Sequence, residues 1–167
     1  MHTCLISREI GIDMGHRVTH HEGKCKNLHG HRYTIQVTLE GSVASKGSQD
    51  GMVLDFGFLK ELMMDLIDAP CDHGTCLWVD DHELAHALGP GYGGARKQVL
   101  ANGYALTQWV WGKLYVLDRV PTAENLAYHW YCRLAEPVVE RSHGRARIQS
   151  IKVWETPNCS AEYKPGH

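Results

Sequence analysis

Within eleven residues, Gly23 to Tyr33 (GKCKNLHGHRY), the chain gathers one thiol, two imidazoles and three basic side chains. Cys25 stands four residues before His29, and His29 two before His31. Residues two apart on a strand share a face, so His29 and His31 can reach one ion. His16 lies in the preceding extended segment, and an antiparallel neighbour would bring it alongside. Three neutral imidazoles leave a fourth tetrahedral position open, the arrangement of a catalytic zinc, although imidazole also suits other divalent metals. A thiol between Lys24 and Lys26 is a candidate nucleophile or base. The plainer alternative is a set of surface histidines beside a turn at Gly30. His20 and His21 face apart and are read as loop residues.

A second pattern competes. HELAH, His82 to His86, satisfies H-E-x-x-H, which on a helix puts two histidines on one face with Glu83 as a protease's general base. The longer spacing of that protease class continues to Gly89. Tyr92 then stands where the third histidine belongs. Proline and glycine follow at once, so any helix here is brief, and the plainer alternative is a short solvated helix.

The elements that must position these groups follow from patterning. His2 to Val18 (HTCLISREIGIDMGHRV) reads as extended, with Leu5, Ile10 and Ile12 expected to point inward. In YTIQVTLEG, Ile35, Val37 and Leu39 alternate with Thr34, Gln36 and Thr38, a strand with one buried face. Gly41 to Gly51 is a turn-rich loop. LDFGFLKELMMDLIDAP reads as a helix capped by Asp55, striped by Leu59, Leu62, Met63, Leu66 and Ile67, and closed by Pro70. The Met63–Met64 pair is core filling. YALTQWVWGKLYVL is apolar and aromatic and fits helix or strand. PTAENLAYHWYCRLAEPVVERS is a second helix, capped by Thr122, with Leu126, Trp130, Leu134 and Val138 recurring every four residues. RIQSIKVWET and NCSAEYK read as strands around a turn at Pro157–Asn158. The order is strand, strand, helix, irregular insert, helix, strand, strand.

At 167 residues the chain is expected to form one domain with a real core. A net charge of −2 gives no global attraction to nucleic acid or an anionic membrane, so any attraction for an anion must be local. From His16 to Arg32, four cations (Arg17, Lys24, Lys26, Arg32) face Glu22 alone, a balance of +3. No run of about eighteen apolar residues indicates a membrane span. The first residues do not read as a signal peptide, and the six cysteines show no paired framework, so the expected location is the cytoplasm.

Six blocks in order, DMGHRV, CKNLHGHRY, GMVLDFGFLK, the Asp72–His73 pair, PTAENLA and VWETP, resemble the 6-pyruvoyl-tetrahydropterin synthase family. The resemblance is strongest to its bacterial 6-carboxytetrahydropterin synthase branch, where a cysteine precedes the first histidine of H-G-H by four residues. Each block is weak alone; six in order are specific.

The resemblance implies an α+β tunnelling fold (T-fold). Its four-stranded antiparallel sheet carries two helices on one face in ββααββ order, and sheets close into a barrel across subunits. A homo-oligomer follows, commonly a hexamer, with active sites between subunits. It implies His16, His29 and His31 as ligands of Zn2+, Cys25 as catalytic thiol, Asp72 and His73 as catalytic pair, and Glu155 as pterin anchor. The implied enzyme is a zinc-dependent lyase of queuosine (7-deazaguanine) biosynthesis. It would turn 7,8-dihydroneopterin triphosphate into 6-carboxy-5,6,7,8-tetrahydropterin, acetaldehyde and triphosphate. The related alternative is triphosphate elimination alone, giving 6-pyruvoyl-tetrahydropterin. From other classes stand a zinc metalloprotease using His82, Glu83 and His86, and a non-catalytic pterin-binding module. One departure from the family pattern is an insertion of roughly residues 74–120 before the second helix. Its Trp78, Trp109 and Trp111 indicate that it is ordered.

Overall fold

A computed structural model describes residues 2–166. Two long strands, β1 (Thr3–His16) and β2 (His29–Ser42), pair antiparallel along their whole length, from Thr3 opposite Ser42 to His16 opposite His29. Alternation splits their side chains cleanly. Ile12, Met14, Tyr33, Ile35, Val37 and Leu39 are buried on one face. The other face is polar and laced by cross-strand pairs: Ser7 with Thr38 (2.9 Å), Gln36 Nε2 donating to Glu9 (2.7 Å), and Arg32 donating to Asp13 (2.7 Å). Leu5 falls on this second face and is exposed, contrary to the inward position expected of it, because its parity is opposite to that of Ile10 and Ile12.

Helix α1 (Phe56–Met63) starts where Asp55 accepts the Gly57 N–H at 2.5 Å. It does not stop at Pro70. It widens into a π turn over Met64–Asp68 and ends in a last turn, Ala69–Cys71, that includes the proline. The wider turn relaxes the register that the missing proline N–H would otherwise break.

Between α1 and the long helix lies the stretch expected as an insertion: β3 (Gly74–Trp78), α2 (His82–Leu88), α3 (Tyr92–Asn102), β4 (Tyr104–Trp109) and β5 (Gly112–Leu117). Then come α4 (Ala123–Arg141), capped by Thr122, and the strands β6 (Ala146–Thr156) and β7 (Cys159–Tyr163). The sheet has seven strands in the order β4-β5-β3-β1-β2-β6-β7. The expected four-stranded antiparallel sheet is present as β1-β2-β6-β7. The expectation of four strands is corrected by the insertion, which adds three more on the β1 side. β3 runs parallel to β1 and β5 parallel to β3.

The ambiguous apolar run YALTQWVWGKLYVL is therefore a hairpin, turning at Val110–Trp111. Leu114, Tyr115, Val116 and Leu117 are all buried because β5 is covered on both faces. Tyr115 and Leu117 join the main core under α1 and α4. Leu114 and Val116 join a second cluster with Leu84, Ala95 and Val99 of α2 and α3. No helix among the described residues is long and apolar enough to cross a membrane.

A buried contact ties the insertion to α4. Tyr104 stacks on Tyr115, and the Tyr115 hydroxyl shares a 2.7 Å hydrogen bond with His129 Nε2. Burial, aided by the Arg133 charge, lowers the His129 pKa from 6.5 to about 4. The unfolded chain therefore binds a proton that the folded one refuses between those values. This contribution is fully present above about pH 6.5 and is lost as pH falls toward 4. Urea unfolding in EDTA is expected to show wild type losing about 2 kcal/mol more than His129→Gln between pH 7 and pH 5. Equal losses would remove His129 from the account.

Candidate active site

The β1–β2 register does what the spacing allowed. His16 lies directly opposite His29, and His31 opposite Met14, so all three rings project from the buried face near the hairpin end of the ribbon. Ring centroids are 4.5, 5.1 and 5.0 Å apart, and one ligand nitrogen from each ring lies within 4.8 Å of the others. Among the described residues, this is the one group of three or more His, Cys, Asp or Glu side chains that converges so closely.

Backbone carbonyls fix two of the tautomers. His16 Nδ1 lies 2.7 Å from the Pro121 carbonyl, and His29 Nδ1 lies 2.8 Å from that of Asn27. A carbonyl only accepts, so each Nδ1 carries the proton and each Nε2 keeps its lone pair. That is how carbonyls prepare imidazoles for a metal. His16 Nε2 is buried without a hydrogen-bond partner. Burial lowers the His16 pKa to about 4 against the opposing pull of the Pro121 carbonyl, and the neighbouring His29 and His31 lower it further. The ring is neutral at pH 7, as a ligand must be. The donor set fits a divalent ion of the zinc class.

Glu155, on β6, places Oε1 4.0 Å from His16 Nε2. Tyr33, two residues beyond His31 and hence on the same face, sits edge-on to His16 and His31. Its hydroxyl is buried with no hydrogen-bond partner. Burial pushes its pKa well up, and Glu155, Cys76 and Cys25 each oppose its ionisation, so Glu155 and Cys25 bear on one hydroxyl. Tyr33 is the residue that the motif-level analysis passed over, although its i+2 relation to His31 already placed it here. Cys25 itself is half-buried in the turn Lys24–Lys26 between β1 and β2, and its carbonyl accepts the Val18 N–H at 2.8 Å.

Asp72 and His73 stand apart. His73 Nδ1 meets Asp72 Oδ2 at 2.7 Å. Asp72 Oδ1 accepts the Asp13 N–H and the His73 N–H donates to the Asp13 carbonyl, each at 2.8 Å. The Asp13 N–H bond, with that of His73 behind it, holds the Asp72 carboxyl below its usual range. His73 has φ of 53°, and its side chain is 77% exposed. No hydrogen bond or ion pair among the described residues joins this pair to Cys25 or the three histidines.

HELAH forms the short helix α2, but not a metal site. His82 and His86 are exposed, Glu83 pairs with Arg17, and the Tyr92 hydroxyl donates to the Val79 carbonyl at 2.8 Å. The metalloprotease expectation is corrected accordingly. The +3 charge balance is corrected too. Arg17 is paired with Asp81 and Glu83, and Arg32 with Asp13. Lys24 and Lys26 are the cations of that stretch without an ion pair among the described residues.

With this geometry in hand, the class is defined. The chain matches the 6-pyruvoyl tetrahydropterin synthase family model over residues 5–166 and belongs to that family. It is 33% identical to a 6-carboxy-5,6,7,8-tetrahydropterin synthase of Rickettsia conorii over 156 residues, 93% of this chain and 96% of that protein. It is 32% identical to the protein of that name from Haemophilus influenzae, covering 95% and 97%. Among solved structures, an uncharacterized protein from Wolinella succinogenes superposes with a TM-score of 0.75 at 20% identity, covering 99% and 100%. The Caenorhabditis elegans 6-pyruvoyl tetrahydropterin synthase superposes at 0.62 with 23% identity, covering 99% and 98%. Both show the shared fold.

Losing an outer-shell partner of a metal ligand costs about 10- to 100-fold in affinity, and losing the ligand costs at least as much. In a cobalt(II) absorption titration, His16→Ala, His29→Ala and His31→Ala are each expected to weaken binding by about 100-fold or more, while His82→Ala leaves it unchanged. Wild-type affinity in any of the first three would dismiss the site.

Proposed function

We propose that this chain is a zinc-dependent lyase that converts 7,8-dihydroneopterin triphosphate and one water to 6-carboxy-5,6,7,8-tetrahydropterin, acetaldehyde and triphosphate. The observation that carries the reading is the convergence of His16, His29 and His31, with Glu155 4.0 Å from the buried ring nitrogen. The relatives that share most of the chain bear the name of this activity. The product would feed a 7-deazaguanine route such as queuosine synthesis.

His16, His29 and His31 would hold the ion. Bound there, zinc supplies Lewis acidity toward a substrate oxygen. The remaining work belongs to side chains. Glu155 accepts hydrogen bonds from the pterin's amino group and ring N–H, which sets the ring's orientation. Cys25, as thiolate, takes the proton from the side-chain carbon. Lys24 and Lys26, exposed on either side of it, attract the triphosphate. His73, its tautomer fixed by Asp72, returns the proton.

The separation of Asp72–His73 from Cys25 within one chain favours a homo-oligomer in which another copy completes the site. Two long edges are available. Among the described residues β1 is paired by β3 only at Met14 to His16, which leaves Thr3 to Ile12 without a strand partner on that side, and β7 has one neighbour. Edge-to-edge joining would satisfy both.

The test incubates zinc-loaded protein with 7,8-dihydroneopterin triphosphate and reads products by mass spectrometry. Wild type and His86→Ala are expected to release acetaldehyde and 6-carboxytetrahydropterin. Cys25→Ala is expected to fall by about 10²- to 10⁴-fold, the loss typical of a general base. A pyruvoyl product without acetaldehyde would move the chain to the other branch of the family. No turnover would leave a pterin-binding module.

A further inference from the structure

The segment from Arg17 to Leu28 joins one metal ligand, His16, to the next, His29, and carries Cys25 midway. Its regular structure is the single turn Lys24–Lys26. A connection of this length between paired strands is several times the usual hairpin loop and is mobile unless something holds it. The insertion holds it. Asp81, just before α2, has a side chain 1% exposed. Its Oδ1 accepts the Glu83 N–H at 3.0 Å, capping α2. Its Oδ2 accepts the Thr19 hydroxyl at 2.6 Å and lies 3.1 Å from Arg17 Nε. Glu83 takes the other side of the Arg17 guanidinium.

Asp81 is itself well anchored. Its N–H donates to the Trp78 carbonyl at 3.1 Å, at the end of β3. β3 lies directly beside the metal ligand, with Cys76 paired to His16. On the loop side, Val18, between the two residues that Asp81 grips, donates its N–H to the Cys25 carbonyl. A short chain of contacts therefore runs from α2 through Asp81 to Arg17 and Thr19, and through Val18 to the thiol-bearing turn. Arg17 and Asp81 are both largely withdrawn from water, so each charge depends on the other.

We propose that Asp81 is a positioning residue: through Arg17 and Thr19 its buried carboxylate fixes the segment between His16 and Cys25, and so places the reactive thiol. This rests on the reading of Cys25 given above. It also gives the HELAH segment a role, since the residues that open α2 are the ones that grip the loop.

Asp81→Asn keeps the side chain's size and its capping oxygen and removes the charge. In zinc-loaded protein, kcat is expected to fall about tenfold with KM within about twofold, because a misplaced catalytic group costs turnover more than binding. Zinc content and melting temperature are read alongside. Independently of substrate, iodoacetamide labelling of Cys25, followed by peptide mass spectrometry, should accelerate about tenfold as the turn is released. Thr19→Val, which loses one hydrogen bond and keeps the ion pair, should show both effects more weakly, and it carries the test if Asp81→Asn does not fold. Unchanged kcat and unchanged Cys25 labelling would overturn the proposal. So would a loss of activity that merely follows loss of folded protein or of zinc. If wild type does not turn over the pterin, the functional reading fails; the labelling rates still decide whether Asp81 places the turn.

Discussion

Everything in this molecule hangs on the pairing of β1 with β2. The ribbon runs the full length of both strands without a bulge, and the end closed by Arg17 to Leu28 carries the site. Because side chains alternate with a period of two, one register puts His16, His29, His31 and Tyr33 on the buried face together with Ile12, Ile35 and Val37. A slip of one residue in β1 would send His16 to the polar face and the Ser7, Glu9 and Asp13 side chains into the core. The three-histidine cluster thus needs no separate mechanism to hold its geometry. The hydrophobic face and the cross-strand pairs on the other face specify it together. Carbonyls from Asn27 and Pro121 then orient two of the rings.

The ordering of the site follows from what burial does to each group. His16 is enclosed, so it stays neutral and presents an orphaned nitrogen. Tyr33 is enclosed beside Glu155 and stays protonated, leaving its hydroxyl available as a donor. Asp72 is held ionised by the Asp13 N–H and can orient His73. Three neighbouring stretches of backbone therefore hold a neutral base, a neutral acid and an anion at the same pH, the first two by burial and the third by a backbone hydrogen bond.

Much of this was legible in the sequence, and the exceptions have identifiable reasons. The alternation in YTIQVTLEG and the capped stripes after Asp55 and Thr122 gave strand and helices directly, because each has one buried face. YALTQWVWGKLYVL did not resolve, because β5 is buried on both faces and loses the alternation that marks a strand. The His16–His29–His31 set was legible from spacing plus an assumed antiparallel neighbour. Arg17 and Arg32 were counted as free charge because their partners, Asp81 at 64 residues' remove and Asp13 across the ribbon, are tertiary facts. HELAH matched a motif whose confirming context, a third ligand, is absent: Tyr92 bonds a carbonyl instead.

The stretch from Gly74 to Val120 is fastened to the site at both ends. Its first strand pairs with β1 at Met14 to His16, so Cys76 lies beside His16. Its far end returns at Pro121, whose carbonyl meets the other side of the same residue, at His16 Nδ1. Both ends of the added segment are thus fastened at one metal ligand. A loop closed at a single point costs little more as it lengthens, since closure entropy grows only with the logarithm of length. The segment between those two fastenings is therefore free to build its own sheet edge, its own apolar cluster and the Asp81 anchor. Because both fastenings meet at His16, that structure helps to hold the His16 ring in place.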